Sequence, residues 1–432
     1  MPFLTLRGRF SVFIICGATS VSNAAHAQLI QQYFPTDIPG YTARFSPTVT
    51  ERMIQQQQSP GVQVGDYVIH PNLSENFGYN SNVLATPDSG SAAEETNAAL
   101  HVNSDWTRDA FAASFDVDDH RFLALPEANF TNWTAGLGGA LTLGNDTATL
   151  AYSHLGLNLA ATDLGVAAIE APVPYAVNDA RLSYLKLFSR FSLTPSFEFE
   201  NFTFGQSGGA TPVNYDSLNH DIESGALTTR YEFSPGNAAI GTMRVSVAQF
   251  SVAPSSNYTD VQGFVGLDFG GDGVIQYRAL AGLEYRKFSH DAVATLDTPT
   301  FELDAIWTPT ELDTITASGV RKLDDPTSPF AGGSTITDGR VELDHELRTN
   351  LFFRTYADAG QSQSEPSLAD VASNNQTEFG LGASATWDVN RNLRGTLSYG
   401  YQSRLTSDAP ASSVGSGNFS SNTIMLGVVL FE

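Results

Sequence analysis

The stretch TWDVNRNLRGTLSYGYQSRL occupies residues 386–405. Every second residue from Leu393 gives Leu393, Gly395, Leu397, Tyr399 and Tyr401, and the interleaved row is Arg394, Thr396, Ser398, Gly400 and Gln402. One apolar and one polar row with period two is the pattern of a β-strand whose two faces meet different surroundings. The polar row needs water. The apolar row needs either a second sheet or lipid.

The same alternation recurs in FEFENF (197–202), VQGFVGLDF (261–269), FELDAIW (301–307), RVELDHEL (340–347) and FGLGASATW (379–387). The connections between such segments fall into two classes. Short turns stand at 107–109, 144–146, 189–190, 234–237, 270–273, 309–311, 348–350 and 389–392. Longer polar connections lie at 85–95, 122–129, 157–177, 206–219, 253–258, 289–297, 324–336, 361–375 and 406–418. The classes alternate strictly, so nine long and eight short connections give eighteen strands, or sixteen if the pair around 129–143 is misread. An even strand number with short turns on one side and long loops on the other describes an antiparallel up-and-down transmembrane β-barrel. The sequence predicts an all-β fold in which the apolar rows face lipid and the last strand, 423–431, pairs with the first, 67–80. Both termini then fall on the periplasmic side.

The N-terminus agrees with export to that site. Arg7 and Arg9 precede an apolar run at 10–18, and Ala25-His26-Ala27 closes the segment. This is the layout of a secretory signal peptide, residues 1–27. The chain's one cysteine, Cys16, lies within it, so the exported part is no disulfide scaffold. The longest later apolar run, IMLGVVLF at 424–431, is far short of the ~20 residues that a spanning helix needs. Residues 28–60 are polar and broken by Pro35, Pro39, Pro47 and Pro60. They read as a largely disordered periplasmic leader, with a short helix at 48–58. Composition favours a spacer over a partner contact or a plug. The barrel domain is 61–432.

A formal net charge of −24 argues against nucleic-acid binding, and the eight histidines lack metal-ligand spacing. No cofactor or metal is expected. By alternation the row that faces the lumen holds Glu198, Glu200, Asp268, Arg278, Glu284, Arg286, Glu302, Asp304, Glu342, Asp344, Glu346, Arg348, Arg354, Asp358 and Arg394. On the lipid face such charges would cost ~2–4 kcal/mol each near mid-membrane. They either pair across adjacent strands or shape the field of a pore, and both can hold. Acidic side chains outnumber basic ones, which predicts a mild preference for cations or neutral solutes. Trp106, Phe233, Phe269, Trp307 and Trp387 each stand where a strand enters a short turn, the place of a periplasmic aromatic girdle. The apolar segment 157–177 is the best candidate for a loop folding inward.

Signals for catalysis are weak. GQSGG (205–209) matches G-x-S-x-G, with His220 downstream, but Ser207 lacks the strand-turn-helix setting of a nucleophile elbow. DVDDH (116–120) offers carboxylates at a strand end.

The stretch PGVQVGDYVIHPNLSENFGYNSNV, residues 60–83, resembles the opening of a β-barrel porin family often found with bacterial exopolysaccharide genes. Gly65, Tyr67, Pro71, Leu73, Tyr79, Asn82 and Val83 carry the resemblance, whereas Ser81 stands where the family pattern has an acidic residue. The resemblance implies an outer-membrane barrel in a Gram-negative bacterium, in contact with outer-membrane lipid. The leading expectation is a porin-like channel for passive diffusion of small polar solutes. The alternatives are an accessory component of exopolysaccharide secretion, passing polysaccharide and meeting a periplasmic partner through residues 28–60, and a barrel hydrolase using Ser207 and His220.

Overall fold

The computed structural model of the protein describes residues 33–41, 61–166, 169–208, 212–270, 273–290, 295–325, 333–364, 375–407 and 418–431. The predicted signal peptide, most of the leader and the helix expected at 48–58 lie outside the described residues.

The strands are β1 (Val62–Val64), β2 (Tyr67–Asn80), β3 (Ser91–Ser104), β4 (Ala110–Phe122), β5 (Phe130–Leu143), β6 (Asp146–Leu159), β7 (Val173–Leu187), β8 (Phe191–Phe204), β9 (His220–Ser234) and β10 (Asn237–Phe250). They continue with β11 (Tyr258–Phe269), β12 (Ile275–Phe288), β13 (Leu296–Thr310), β14 (Asp313–Asp324), β15 (Ser334–Arg348), β16 (Leu351–Ser364), β17 (Asn375–Asn390), β18 (Leu393–Ser407) and β19 (Phe419–Phe431). The three-residue β1 only folds back on β2. The other eighteen form one antiparallel sheet in chain order, and β19 pairs with β2 from Thr423↔Asn80 to Phe431↔Asn72. The sheet is therefore closed, as the alternating connections predicted, and the stretch around 129–143 forms a strand, β5, paired with β6. Closure is what lets strands span hydrocarbon, because an open edge would leave backbone donors and acceptors with no partner.

Alternation fixes the register. On β19 the exposed row is Ile424, Leu426, Val428 and Leu430, while Met425, Gly427, Val429 and Phe431 are buried or face inward. On β18 Leu397, Tyr399 and Leu405 are exposed, and Arg394, Gly400 and Arg404 are buried. The apolar row of the opening stretch lies on the outer surface and the polar row lies on the inner one. Tight turns keep the short connections short. Gly144, between β5 and β6, sits at φ 71°, a left-handed conformation that glycine adopts at little cost.

The main apolar cluster is inside the barrel. It joins Leu155, Leu157 and Leu159 of β6, Val173, Tyr175 and Val177 of β7, and Phe202 and Phe204 of β8 to residues that belong to no strand.

Candidate functional site: the barrel lumen

Among the described residues, two non-strand segments enter the lumen. The first is residues 33–41, part of the stretch predicted as a disordered spacer. Here the structure differs from the expectation. Phe34, Ile38 and Tyr41 are buried, Ile38 completely. The Tyr33 carbonyl accepts a hydrogen bond from Thr134 Oγ1, and the Tyr33 hydroxyl accepts one from Asn132 Nδ2. Asp37 Oδ2 lies 2.6 Å from His101 Nδ1 on β3. The Tyr41 hydroxyl meets Ser153 Oγ at 3.0 Å and Asp179 Oδ1 at 2.5 Å. The Arg181 guanidinium lies 4.5 Å from the Phe34 ring centre and 4.4 Å from that of Tyr41. Burial and the neighbouring Asp179 carboxylate push the Tyr41 phenol well above its usual range. Pro35 and Pro39, predicted to break order, instead lie in compact turns, with Ile38 N–H bonded to the Pro35 carbonyl and Tyr41 N–H to the Ile38 carbonyl.

The second segment is the β6–β7 connection. Its Leu164 and Val166 are buried, and Leu164 meets Ile336 of β15 across the lumen. Arg404 of β18 donates to the carbonyls of Ala161, Thr162 and Asp163 at 3.1, 2.7 and 2.7 Å. Gln376 of β17 accepts from Gly165 N–H and donates to the Val166 carbonyl. The loop is thus pinned to the wall facing its own strands. Turns, and no helix, occupy its described residues. Burial pushes the Asp163 carboxyl up to about 6, against the opposing pull of the Ala160 N–H and Arg404.

Beside these segments, among the described residues, lies a cavity of 810 Å³. Of the sequence-predicted residues, Glu198, Glu200, Arg278, Arg286, Glu302 and Asp304 line it together. Glu198 is 2.7 Å from Arg181, and the carboxylates of Asp179, Glu198 and Glu200 lie within 4.8 Å of one another. Arg286 bonds Asp260 at 3.1 Å and lies 3.8 Å from Glu284. Nearby Asp325, at a loop mouth, stays below the usual carboxylate range because His220, Arg286 and Tyr258 outweigh the burial that would raise it. Elsewhere on the wall, Arg354 bridges Asp344 at 2.7 Å and Glu342 at 3.0 Å, with Arg340 on Glu342 at 2.8 Å. Asp268 faces Arg230 at 3.5 Å, Arg394 bonds Asp388 at 2.6 Å, and Asp358 is the register partner of Arg340. Glu346 is half-buried, and Arg348 is exposed beside the β15–β16 turn.

The aromatic residues singled out lie on the outside. Trp106, Phe233, Trp307 and Trp387 are exposed beside short turns. Phe269 packs against Phe233 at 5.9 Å and Tyr277 at 4.7 Å, and Trp106 against Tyr67 at 5.9 Å.

The hydrolase pair is not assembled. Ser207 Oγ accepts the Val213 N–H, whereas His220 is stacked between Phe202 and Phe250, with Nδ1 at the Leu218 carbonyl. In DVDDH the alternation separates Asp116, near His101, and Asp118, near His120, from Asp119, which pairs with Arg121.

Sequence reasoning missed Tyr41, Asp37, Asp179, Arg181 and Arg404. A signal for their setting did exist. The β5 run TAGLGGAL places Gly136 and Gly138 on the inner row, so that stretch of wall carries no side chains. Such a bare wall implies that something else fills the space.

The family described as putative beta-barrel porin 2 matches residues 57–431, nearly the whole barrel chain. The chain belongs to this porin family. The porin's closed eighteen-strand architecture and this membership place it in the outer membrane of Gram-negative bacteria. No curated protein matches the chain. Among solved structures, it is similar to a BenF-like porin from Pseudomonas fluorescens Pf-5, at 12% identity and a TM-score of 0.46, covering 85% of this chain and 100% of that one. It is also similar to Acinetobacter baumannii OccAB3, at 10% identity and 0.45, covering 85% and 100%. A third is Pseudomonas aeruginosa OccK2 (OpdF), solved in complex with glucuronate, at 13% identity and 0.46, covering 85% and 98%.

Proposed function

We propose that this porin is a channel for passive diffusion of small polar solutes, with a mild preference for cations and with both termini and the short turns in the periplasm. The observation that carries this reading is the 810 Å³ cavity inside a closed barrel, lined by charged and polar side chains. An aqueous path needs such a lining, and a barrel of this strand number is wide enough to leave one. The cation preference rests on the three clustered carboxylates Asp179, Glu198 and Glu200, which outnumber their one close cation, Arg181. It is mild because Arg244, Arg278 and Arg340 border the same space. The outward aromatic residues at the short turns support their role as a periplasmic girdle.

Single-channel recording in a planar bilayer under a salt gradient tests this. The expected result is stable conductance steps with a reversal potential leaning to cations. Glu198→Gln with Glu200→Gln should move that potential toward zero. A folded barrel that passes neither current nor solute would refute the channel, and an anion-leaning reversal would refute the charge assignment.

A further inference from the structure

We propose that residues 33–41 are a plug built into the lumen, seated on the inner face of β5, β6 and β7, and that this segment sets the bore of the channel. The proposal rests on the channel reading above and adds to it the residues that determine size.

The wall is cut to receive the segment. A Cβ placed on Gly138 would lie 2.5 Å from Ile38 Cγ2 and 2.6 Å from the Pro39 carbonyl oxygen. A Cβ on Gly136 would lie 2.8 Å from both Ile38 Cδ1 and Pro35 Cγ. Contacts under 3.0 Å cannot stand, so a side chain at Gly138 must displace the segment's backbone at Pro39, and one at Gly136 presses on the Ile38 and Pro35 side chains. Next to them on β6, Ala151 and Ser153 are also small and wholly enclosed. Small residues on adjacent strands therefore form one recess, and fully buried Ile38 fills it.

The segment is also held along its length by polar contacts to different strands: Tyr33 to Asn132 and Thr134 of β5, Asp37 to His101 of β3, and Tyr41 to Ser153 of β6 and Asp179 of β7. Apolar filling with polar fastening at the rim is how a permanent core is built, and it is unlike a passing contact of a loose leader. Phe34 and Arg181 border the cavity. The cavity is thus bounded on that side by Phe34 of the plug together with Tyr175 and Arg181 of β7. The segment contributes no strand to the barrel, and it lies outside the stretch that the family shares, 57–431.

Two readouts on the refolded full chain carrying Cys16→Ser test the plug. The first is labelling of Ile38→Cys by a water-soluble maleimide, compared with Leu123→Cys, whose side chain is 72% exposed. The plug predicts at least about tenfold slower labelling at position 38, a conservative figure for a fully buried side chain whose local opening must precede reaction. Adding Gly138→Leu, or Gly136→Val if the first variant folds poorly, should abolish the protection. The second readout is conductance. Gly138→Leu adds bulk to the lumen wall yet should raise conductance, because it evicts a larger segment. Equal labelling at both cysteines, protection indifferent to both glycine variants, or a conductance lowered by the added bulk would overturn the plug. Protection that Gly138→Leu abolishes, in a barrel that never conducts, would uphold the plug and refute the channel reading instead.

Discussion

The Tyr41 phenol donates to Asp179 Oδ1 at 2.5 Å, joining residues 138 apart in the chain, and the same phenol meets Ser153 Oγ at 3.0 Å. Asp179 has no exposed surface, and Arg181 lies 3.1 Å from its carboxylate while covering the Tyr41 ring. One buried acid thus fastens a segment outside the sheet to the wall of the barrel.

Tyr41→Phe removes the donor and keeps the ring. A hydrogen bond to a charged group contributes about 1.5–3 kcal/mol, so the segment should open about ten- to a hundredfold more often. The labelling rate of Ile38→Cys should rise by that factor. A rate unchanged by Tyr41→Phe would mean that the fastening lies elsewhere.

The inward loop should respond to acid through Asp163. Its carboxyl is raised to about 6 in the seated loop, against the ordinary 3.8 when released, because burial disfavours the charge. The seated form therefore binds a proton between those limits. Its extra stability is complete below about pH 4 and is lost as pH rises to about 6, with no further change above. Arg404 favours the charge, while Glu378 and Tyr175 also face this carboxyl. Current noise from loop motion should fall as pH drops from 6 to 4, and Asp163→Asn should remove the dependence. Noise that grows on acidification would reverse the assignment.

The two rows of the closing strands should differ sharply in tolerance. Leu426 is exposed near the middle of β19, beside exposed Leu397 and Phe77. Leu426→Arg should destabilise the barrel in lipid vesicles by about 2–4 kcal/mol. Ser398→Arg, on the inner row, should cost far less in the same urea titration. Equal costs would contradict the register.

Strand number, closure and register were legible because they depend on local signals. The rows Leu393–Gly395–Leu397 and Arg394–Thr396–Ser398 declare their faces within six residues, and turn length separates the two rims. The inward course of the β6–β7 loop was legible too, since an apolar run cannot rest in water as an ordinary loop does. Charge pairing was legible only as a choice of row. That Arg404 takes three loop carbonyls, or that Arg394 takes Asp388, depends on register across strands and on a loop arriving from the far wall. The seat for residues 33–41 was hidden for a different reason. Its members, Gly136, Ala151 and Asp179, have no shared spacing, and proline-broken polarity in the segment reads as disorder when its partner surface is unknown.

The segment is covalently tied ahead of β1, with twenty residues between Tyr41 and Val62. Detachment therefore cannot remove it from the neighbourhood of its seat. A short tether holds a detached group at an effective concentration on the order of millimolar, so return is intramolecular and independent of how much protein is present. Openings made by detachment would be brief, and dilution would not lengthen them. Lasting opening would require something that binds the freed segment or cuts the tether.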